Sequence, residues 1–379
     1  MNHTTFGPGG RRLRIALVEP FFGGSHRAVA EGWARHSRHE IELVTLPARF
    51  WKWRMRGAAV HLARVLAGRI GRFDLLWATS LLDLAHLRAL LPRRVPAALY
   101  FHENQVAYPT RPGEPPAERD LQYAFTNLTS ALAADRVFFN SAFQRDAFLE
   151  GLDRLLGRMP DARPRWAVAE IAARSGVLWP GVEVADIPEP GPREGPPVIL
   201  WNHRWEHDKD PELFLGVLLR LADEGVPFRV AVAGERFGRA PPVFEEARAR
   251  LGSRVVHWGY VPDRKAYGRL LARCHVVVST ARQENFGLSV VEAAYAGAHP
   301  LVPARLAYPE VVPAELHAAC LYGDPDDLAA RIRSLCTGRE KLLDPGRLRV
   351  SFGRYAWEKR GTAFDEAAER LSGSAADVV

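Results

Sequence analysis

The chain has 379 residues, of which 47% are hydrophobic, and 51 lysines and arginines against 44 acids leave a net charge of +7. That length suits two domains better than one core, and the hydrophobic content excludes a largely disordered chain. No apolar run approaches the 18 residues a membrane span needs, and Cys274, Cys320 and Cys336 have neither the number nor the spacing of a disulfide framework or zinc site.

The segment up to Arg14 carries no signal-peptide pattern, so a reducing cytoplasm is the expected setting. Nearly all the positive charge is arginine. A base-composition bias accounts for much of that preference, but the net charge itself favours anionic partners.

Strand-like runs over Leu13 to Val18, Ile41 to Leu46, Leu75 to Ala78, Ala97 to Phe101 and Arg136 to Asn140 alternate with helical patterns, which predicts a parallel α/β half. After the first strand, Gly23-Gly24 reads either as a turn admitting a ligand to the backbone or as a packing turn capped by Ser25. Further on, Arg49-Phe50-Trp51-Lys52-Trp53-Arg54-Met55-Arg56 interleaves cations with aromatics, a pattern suited to single-stranded RNA.

Two other readings of that block stand beside it. The amphipathic segment Gly57 to Arg72, with Val60, Leu62, Val65, Leu66 and Ile70 against Arg64, Arg69 and Arg72, would suit a membrane surface. Alternatively, Trp51 and Trp53 plug the core beneath a solvated basic face. His102 closes the fourth run inside Tyr100-Phe101-His102-Glu103-Asn104-Gln105-Val106-Ala107-Tyr108-Pro109, where a lone histidine is structural or part of a site.

Residues 182–196, rich in Pro, Gly and acid, read as a linker, and the alternation then resumes with Val198 to Trp201, Phe228 to Ala233, Val255 to Trp258, Val276 to Thr280 and His299 to Val302. Helix starts are legible at Asp210-Pro211, at Asp263 and at Asp324-Pro325. Arg204 and Lys209 fall between a strand end and the Asp210 cap, where a parallel sheet presents its ligands, and two cations there suit a diphosphate. They could instead pair with Glu206 and Asp208, and Asp208-Lys209-Asp210 contains an Asp-x-Asp that would suit a divalent metal were Asp210 not capping a helix.

Glu284 and Glu292 bracket Asn285-Phe286-Gly287-Leu288-Ser289-Val290-Val291. A helix starting near Phe286 would aim its first amides at an anion, with one carboxylate taking sugar hydroxyls and the other a ribose diol. Glu292 could instead be a surface helix residue and Glu284 a helix-start acid interacting with the dipole. The final helix, 354–371, is expected to pack back on the first domain through Tyr355, Trp357, Phe364 and Leu371.

Taken together, Arg204 and Lys209, Glu284 and Glu292, Trp258-Gly259-Tyr260-Val261-Pro262 and Glu292-Ala293-Ala294-Tyr295-Ala296-Gly297 resemble the retaining glycosyltransferases of family 4, whose GT-B fold sets two Rossmann-like domains face to face. Within that family, Trp51-Lys52-Trp53-Arg54, Tyr100 to Pro109, Arg119-Asp120-Leu121-Gln122-Tyr123 and His203 to Pro211 resemble the tRNA-queuosine α-mannosyltransferases, over about Leu13 to Trp357. The usual family residue after His102 is Asp; this chain has Glu103.

The resemblance implies an acceptor domain over 11–181 plus the helix 354–371, and a donor domain over 197–353. It implies transfer of mannose from GDP-mannose to the cyclopentenediol of queuosine at the wobble position of tRNA-Asp, with retention, no cofactor and no metal. His102 would meet the donor sugar. Arg204 and Lys209, with amides at Phe286, Gly287 and Leu288, would neutralise the diphosphate, Glu284 would hold mannose and Glu292 ribose, and Gly23, Gly24 and Val261 would line the donor site.

Acceptor-side candidates are Trp51, Lys52, Trp53, Arg54, Asn104, Gln105, Asp120, Gln122 and Asn127. Two competing expectations are a family 4 enzyme acting on a lipid or cell-surface glycan, and an RNA-binding protein with an inactive nucleotide-sugar fold.

Overall fold

The computed structural model describes residues 11–107, 118–191, 193–235 and 241–374, with the side chains of all of these but 118–120 and 374. Tyr108, Pro109 and the side chain of Asp120 therefore lie outside what is described. The described chain forms two compact units, one of residues 11–107, 118–139, 148–178 and 361–374, the other of residues 140–147, 179–191, 193–235 and 241–360.

The first unit is built from β1 (Arg14–Phe22), α1 (Gly24–His36), β2 (Glu40–Pro47), α2 (Trp51–Ala67), β3 (Leu75–Thr79), α3 (Leu84–Leu90), β4 (Ala97–Phe101), α4 (Glu118–Ala133), β5 (Arg136–Phe139), α5 (Ala142–Gly157), α6 (Trp166–Ala173) and β6 (Ser175–Val177). All strands pair in parallel in the order β2-β1-β3-β4-β5-β6. β3 and β4 are buried at every residue, as near-continuous apolar strands at the centre of a parallel sheet must be.

The second unit holds β7 (Val198–Trp201), α7 (Pro211–Asp223), β8 (Arg229–Ala233), α8 (Val243–Leu251), β9 (Val255–Gly259), α9 (Arg264–Arg273), β10 (Val276–Val278), α10 (Leu288–Tyr295), β11 (His299–Pro303), α11 (Tyr308–Val311), α12 (His317–Cys320), β12 (Leu321–Tyr322), α13 (Pro325–Cys336), α14 (Pro345–Phe352) and the first residues of α15 (Trp357–Ser374). Its parallel order is β12-β11-β10-β7-β8-β9. The order reverses direction between β10 and β7, and ligands of doubly wound sheets bind beyond the strand ends at such a reversal.

Several boundaries differ from the sequence expectation. β6 and β12 have three and two residues, too few to show a periodicity. Residues 182–196 are no free tether: Val182, Val184 and Ile187 are buried in the core of the second unit, and the Val182 amide donates to the Tyr355 carbonyl. Asn140 to Ala147 also join that unit, because Glu310 accepts from the backbone amides of Ala142 and Phe143 at the start of α5.

The last helix starts at Trp357 rather than 354, after a 3-10 turn over Gly353–Tyr355. From Gly361 onward it belongs to the first unit, where Phe364 packs beside Trp33, Trp77 and Tyr100.

Candidate functional site

In the second unit the loop after β7 turns into α7 through Asp210, whose φ of 49° is left-handed and whose side chain accepts from the Leu213 amide. Asp210 also accepts from Arg282 Nε at 2.8 Å. Both carboxylates of the Asp-x-Asp are thus engaged, since Asp208 Oδ2 lies 3.2 Å from Lys209 Nζ.

Lys209 is buried, with 7% of its surface exposed, and donates to the Gln283 carbonyl at 2.7 Å and to Glu284 Oε2 at 3.3 Å. The pairing of Lys209 with Asp208 that the sequence allowed is present, but not on a solvated turn. Burial alone would raise the Glu284 pKa; Lys209, His203 and the Phe286 amide instead hold the carboxyl below its ordinary value. His203, buried beside Lys209, is pushed down to about 4 and is neutral at pH 7. Arg204 is half exposed and pairs with Glu206 at 3.0 Å.

Helix α10 begins at Leu288, two residues later than expected, with Gly287 as its cap at φ 93°. The Phe286 amide donates to Glu284 Oε1 at 3.4 Å, so it is turned to the carboxylate rather than to an anion. Glu292 stands in the second turn and accepts from Arg264 Nη2 at 2.6 Å. No local signal marks Arg264, because its role depends on α9 lying beside α10.

A cavity of about 260 Å³ is lined by Asn202, His203, Arg204, Gly234, Tyr260, Val261, Arg264 and Tyr267, among others. A Cβ on Gly234 would fall 1.8 Å from the His203 carbonyl oxygen, so only glycine lets the β7 and β8 ends approach this closely. Asn202 donates to Tyr267 Oη and the Ser289 carbonyl, while its Oδ1 is buried with no hydrogen-bond partner. An orphaned acceptor on a cavity wall is what a bound donor group would satisfy.

In the first unit Gly23 caps α1 and Ser25 is the helix's second residue, not its cap. A Cβ on Gly23 would meet the Ala48 Cβ at 2.4 Å, so close packing requires glycine there, whereas Gly24 has φ +52° and open space around it. His102 is buried at the end of β4, with its ring centroid 4.0 Å from that of His26 and its Nε2 3.8 Å from Glu19 Oε2. Neither His26 nor Glu19 was selected from the sequence.

The basic aromatic block turns out to be the first turns of α2. Met55, Ala58, Ala59, Leu62, Ala63 and Leu66 face the core, while Val60 and Val65 are exposed. The apolar face envisaged for a membrane surface is therefore largely internal, with Leu62, Leu66 and Ile70 all buried. Trp51 rests on Tyr123 at 5.3 Å, and Lys52 Nζ lies 5.5 Å from the Trp51 ring. Arg54 donates to the Pro47 carbonyl.

Trp53 plugs no core: 63% of it is exposed, and its ring lies so close over Gly57 that a Cβ there would meet it at 2.6 Å. Phe50, 73% exposed, holds a left-handed φ of 55°.

Other acceptor-side candidates shape the chain locally. Asn127 is buried, donating to the Ser80 carbonyl and accepting from the Gln105 amide. Asn104 Oδ1 accepts from the Val106 and Ala107 amides. Gln122 is half-buried on α4.

Residues 14–182 match the family model described as the tRNA-queuosine alpha-mannosyltransferase N-terminal region, and residues 184–357 match the glycosyl transferases group 1. A tRNA-queuosine alpha-mannosyltransferase of Drosophila melanogaster is 35% identical over 343 residues, covering 85% of this chain and 86% of its own. A GDP-mannose-dependent alpha-(1-6)-phosphatidylinositol dimannoside mannosyltransferase of Mycobacterium tuberculosis is 29% identical over 38% of each chain.

Among solved structures, Anabaena HepE in complex with UDP aligns with a TM-score of 0.69 at 15% identity, covering 94% of this chain and 100% of its own. Sucrose-phosphate synthase from Thermosynechococcus elongatus aligns at 0.68 and 16%, covering 96% and 100%. The two parallel six-stranded sheets are those of the GT-B fold.

Proposed function

The chain belongs to the tRNA-queuosine alpha-mannosyltransferase family, and from that membership we propose that it transfers mannose from GDP-mannose, with retention, to the cyclopentenediol of queuosine at the wobble position of tRNA-Asp. The observation that carries this reading is the buried Lys209–Glu284 pair at the β7/β10 reversal, beside a cavity with an unsatisfied Asn202 Oδ1. The nucleoside takes the cavity, with Val261 on its wall, and Glu292, steadied by Arg264, accepts from the ribose diol.

Arg204 and Lys209 meet the diphosphate. Lys209 Nζ hydrogen-bonds Gln283 and Glu284 but only ion-pairs with Asp208, whose Oδ2 has no hydrogen bond, so a phosphate oxygen displaces Asp208 with least loss. A unit charge about 4 Å away contributes up to ~4 kcal/mol at an effective dielectric near 20, before desolvation. The amides of Gly287 and Leu288 at the start of α10 add to this, and Glu284 accepts from mannose hydroxyls. A metal would have to break ion pairs at both Asp208 and Asp210, which supports a metal-free leaving-group site.

For the acceptor, Trp53 offers an exposed ring on the same helix as Lys52 and Arg56, and Phe50 holds a strained backbone to keep its ring in water, as functional residues often do. Bases of an unpaired loop stack on such faces while the cations meet phosphates. Trp53→Ala is expected to weaken tRNA binding about fivefold, as the lower end of the stacking range implies. Lys52→Ala should reduce the slope of log affinity against log salt by about 1. Filter binding across salt concentrations checks both, and unchanged affinity in both variants would remove α2 from the RNA site.

A further inference from the structure

His26, on α1, lies between two acids: its Nδ1 is 2.9 Å from Glu19 Oε2 and its Nε2 is 3.0 Å from Glu103 Oε2. Ionised carboxylates only accept, so a ring that donates to both carries both protons and is an imidazolium. Glu19 is wholly buried and also accepts from the Phe21 amide, which fixes the first of these acids on β1. Glu103, just past the end of β4, closes the other side of the ring.

The His102 ring lies against the His26 ring with an interplanar angle of 31° and is itself buried. Two positive rings at that separation, out of water, would repel strongly. Glu19 is too far from His102 Nε2, at 3.8 Å, to hydrogen-bond it, and the Tyr100 ring meets His102 edge-on at 4.9 Å.

We propose that His26 is a positioning residue for the transfer reaction, a fixed cation that locks Glu19 and Glu103 and keeps His102 an uncharged imidazole able to hydrogen-bond a substrate hydroxyl. The inference rests on the mannosyl-transfer reading for its substrate but not for its charge pattern. Burial would lower the His26 pKa, yet Glu19 and then Glu103 raise it to about 10, while burial and then the His26 charge depress that of His102.

A raised histidine pKa contributes fully to stability below the unfolded value of about 6.5, and the contribution is lost as pH climbs through about 10.

Without His26 the two carboxylates face His102 unopposed and favour its protonation. His26→Gln is therefore expected to move the acid limb of the kcat against pH profile upward by at least about one unit, with much of the loss recovered by pH 9. Histidine-selective ¹⁵N spectra of the intact protein from pH 5.5 to 9.5 should show His26 doubly protonated and His102 neutral throughout.

A wild-type His26 that titrates near its ordinary pH would overturn the proposal. So would a His26→Gln variant that loses kcat equally at all pH, or one equivalent of a transition metal bound by Glu19, His26 and His102. Were the acceptor or donor assignment wrong, the spectra would still decide the charge state, so the two failures are distinguishable.

Discussion

Lys209→Ala is expected to lower kcat for transfer by roughly 10²–10³-fold, the usual loss when one preorganised donor to a developing anion is removed. The size follows from burial. An exposed lysine in this loop would be screened and replaceable by water, but Lys209 is held by Gln283, Glu284 and Asp208 where little solvent reaches.

Removing Lys209 also leaves Glu284 and Asp208 facing one another without a countercharge, which repels the incoming diphosphate and raises the Glu284 pKa. Arg204, half exposed and paired with Glu206, should cost less when replaced. Steady-state kinetics of both variants with excess chelator present would check the order. A Lys209→Ala enzyme within a few-fold of wild type would remove the lysine from the leaving-group site, and restoration by added divalent metal would return Asp208 and Asp210 to consideration as ligands.

Asp365→Ala should produce the largest loss of stability outside the donor site. The Asp365 carboxylate is buried and accepts from Trp33 Nε1 at 2.8 Å, Ser37 Oγ at 2.5 Å and the Arg38 amide at 2.9 Å. Alanine leaves those donors unsatisfied where α15 meets α1, beside the stack of Trp33, Trp77 and Phe364. Lost charge-assisted hydrogen bonds and stranded donors amount to about 3 kcal/mol, or a Tm lower by roughly 6–12 °C. Differential scanning calorimetry reads it. A shift under 2 °C would mean that the C-terminal helix is held by its aromatic face alone.

Strands were legible where they were apolar and central, as with Ala97–Phe101 and Val198–Trp201, because a strand covered on both faces has no polar positions to obscure it. Helix starts were legible where an aspartate precedes a proline, since the cap and the fixed φ are local. What sequence concealed depends on elements far apart in the chain meeting. Arg264 reaches Glu292 from a different helix, and His26 reaches Glu103 across 77 residues.

The aromatic block shows the same limit within a single helix. Its residue types indicated stacking, but only the turn of α2 decides that Met55 and Leu62 go inward while Trp53 stays in water. Asn104 and Asn127 look like polar contacts for a substrate until their hydrogen bonds are seen to close on the chain's own amides and carbonyls.

Incubating the protein with GDP-mannose and tRNA-Asp that either carries or lacks queuosine, followed by nucleoside mass analysis, tests the central claim most directly. A single hexose should be added to queuosine, none to the unmodified tRNA, and nothing should be transferred when a UDP-sugar replaces GDP-mannose. Donor turnover with no hexose on queuosine, or equal labelling of both tRNAs, would contradict that claim.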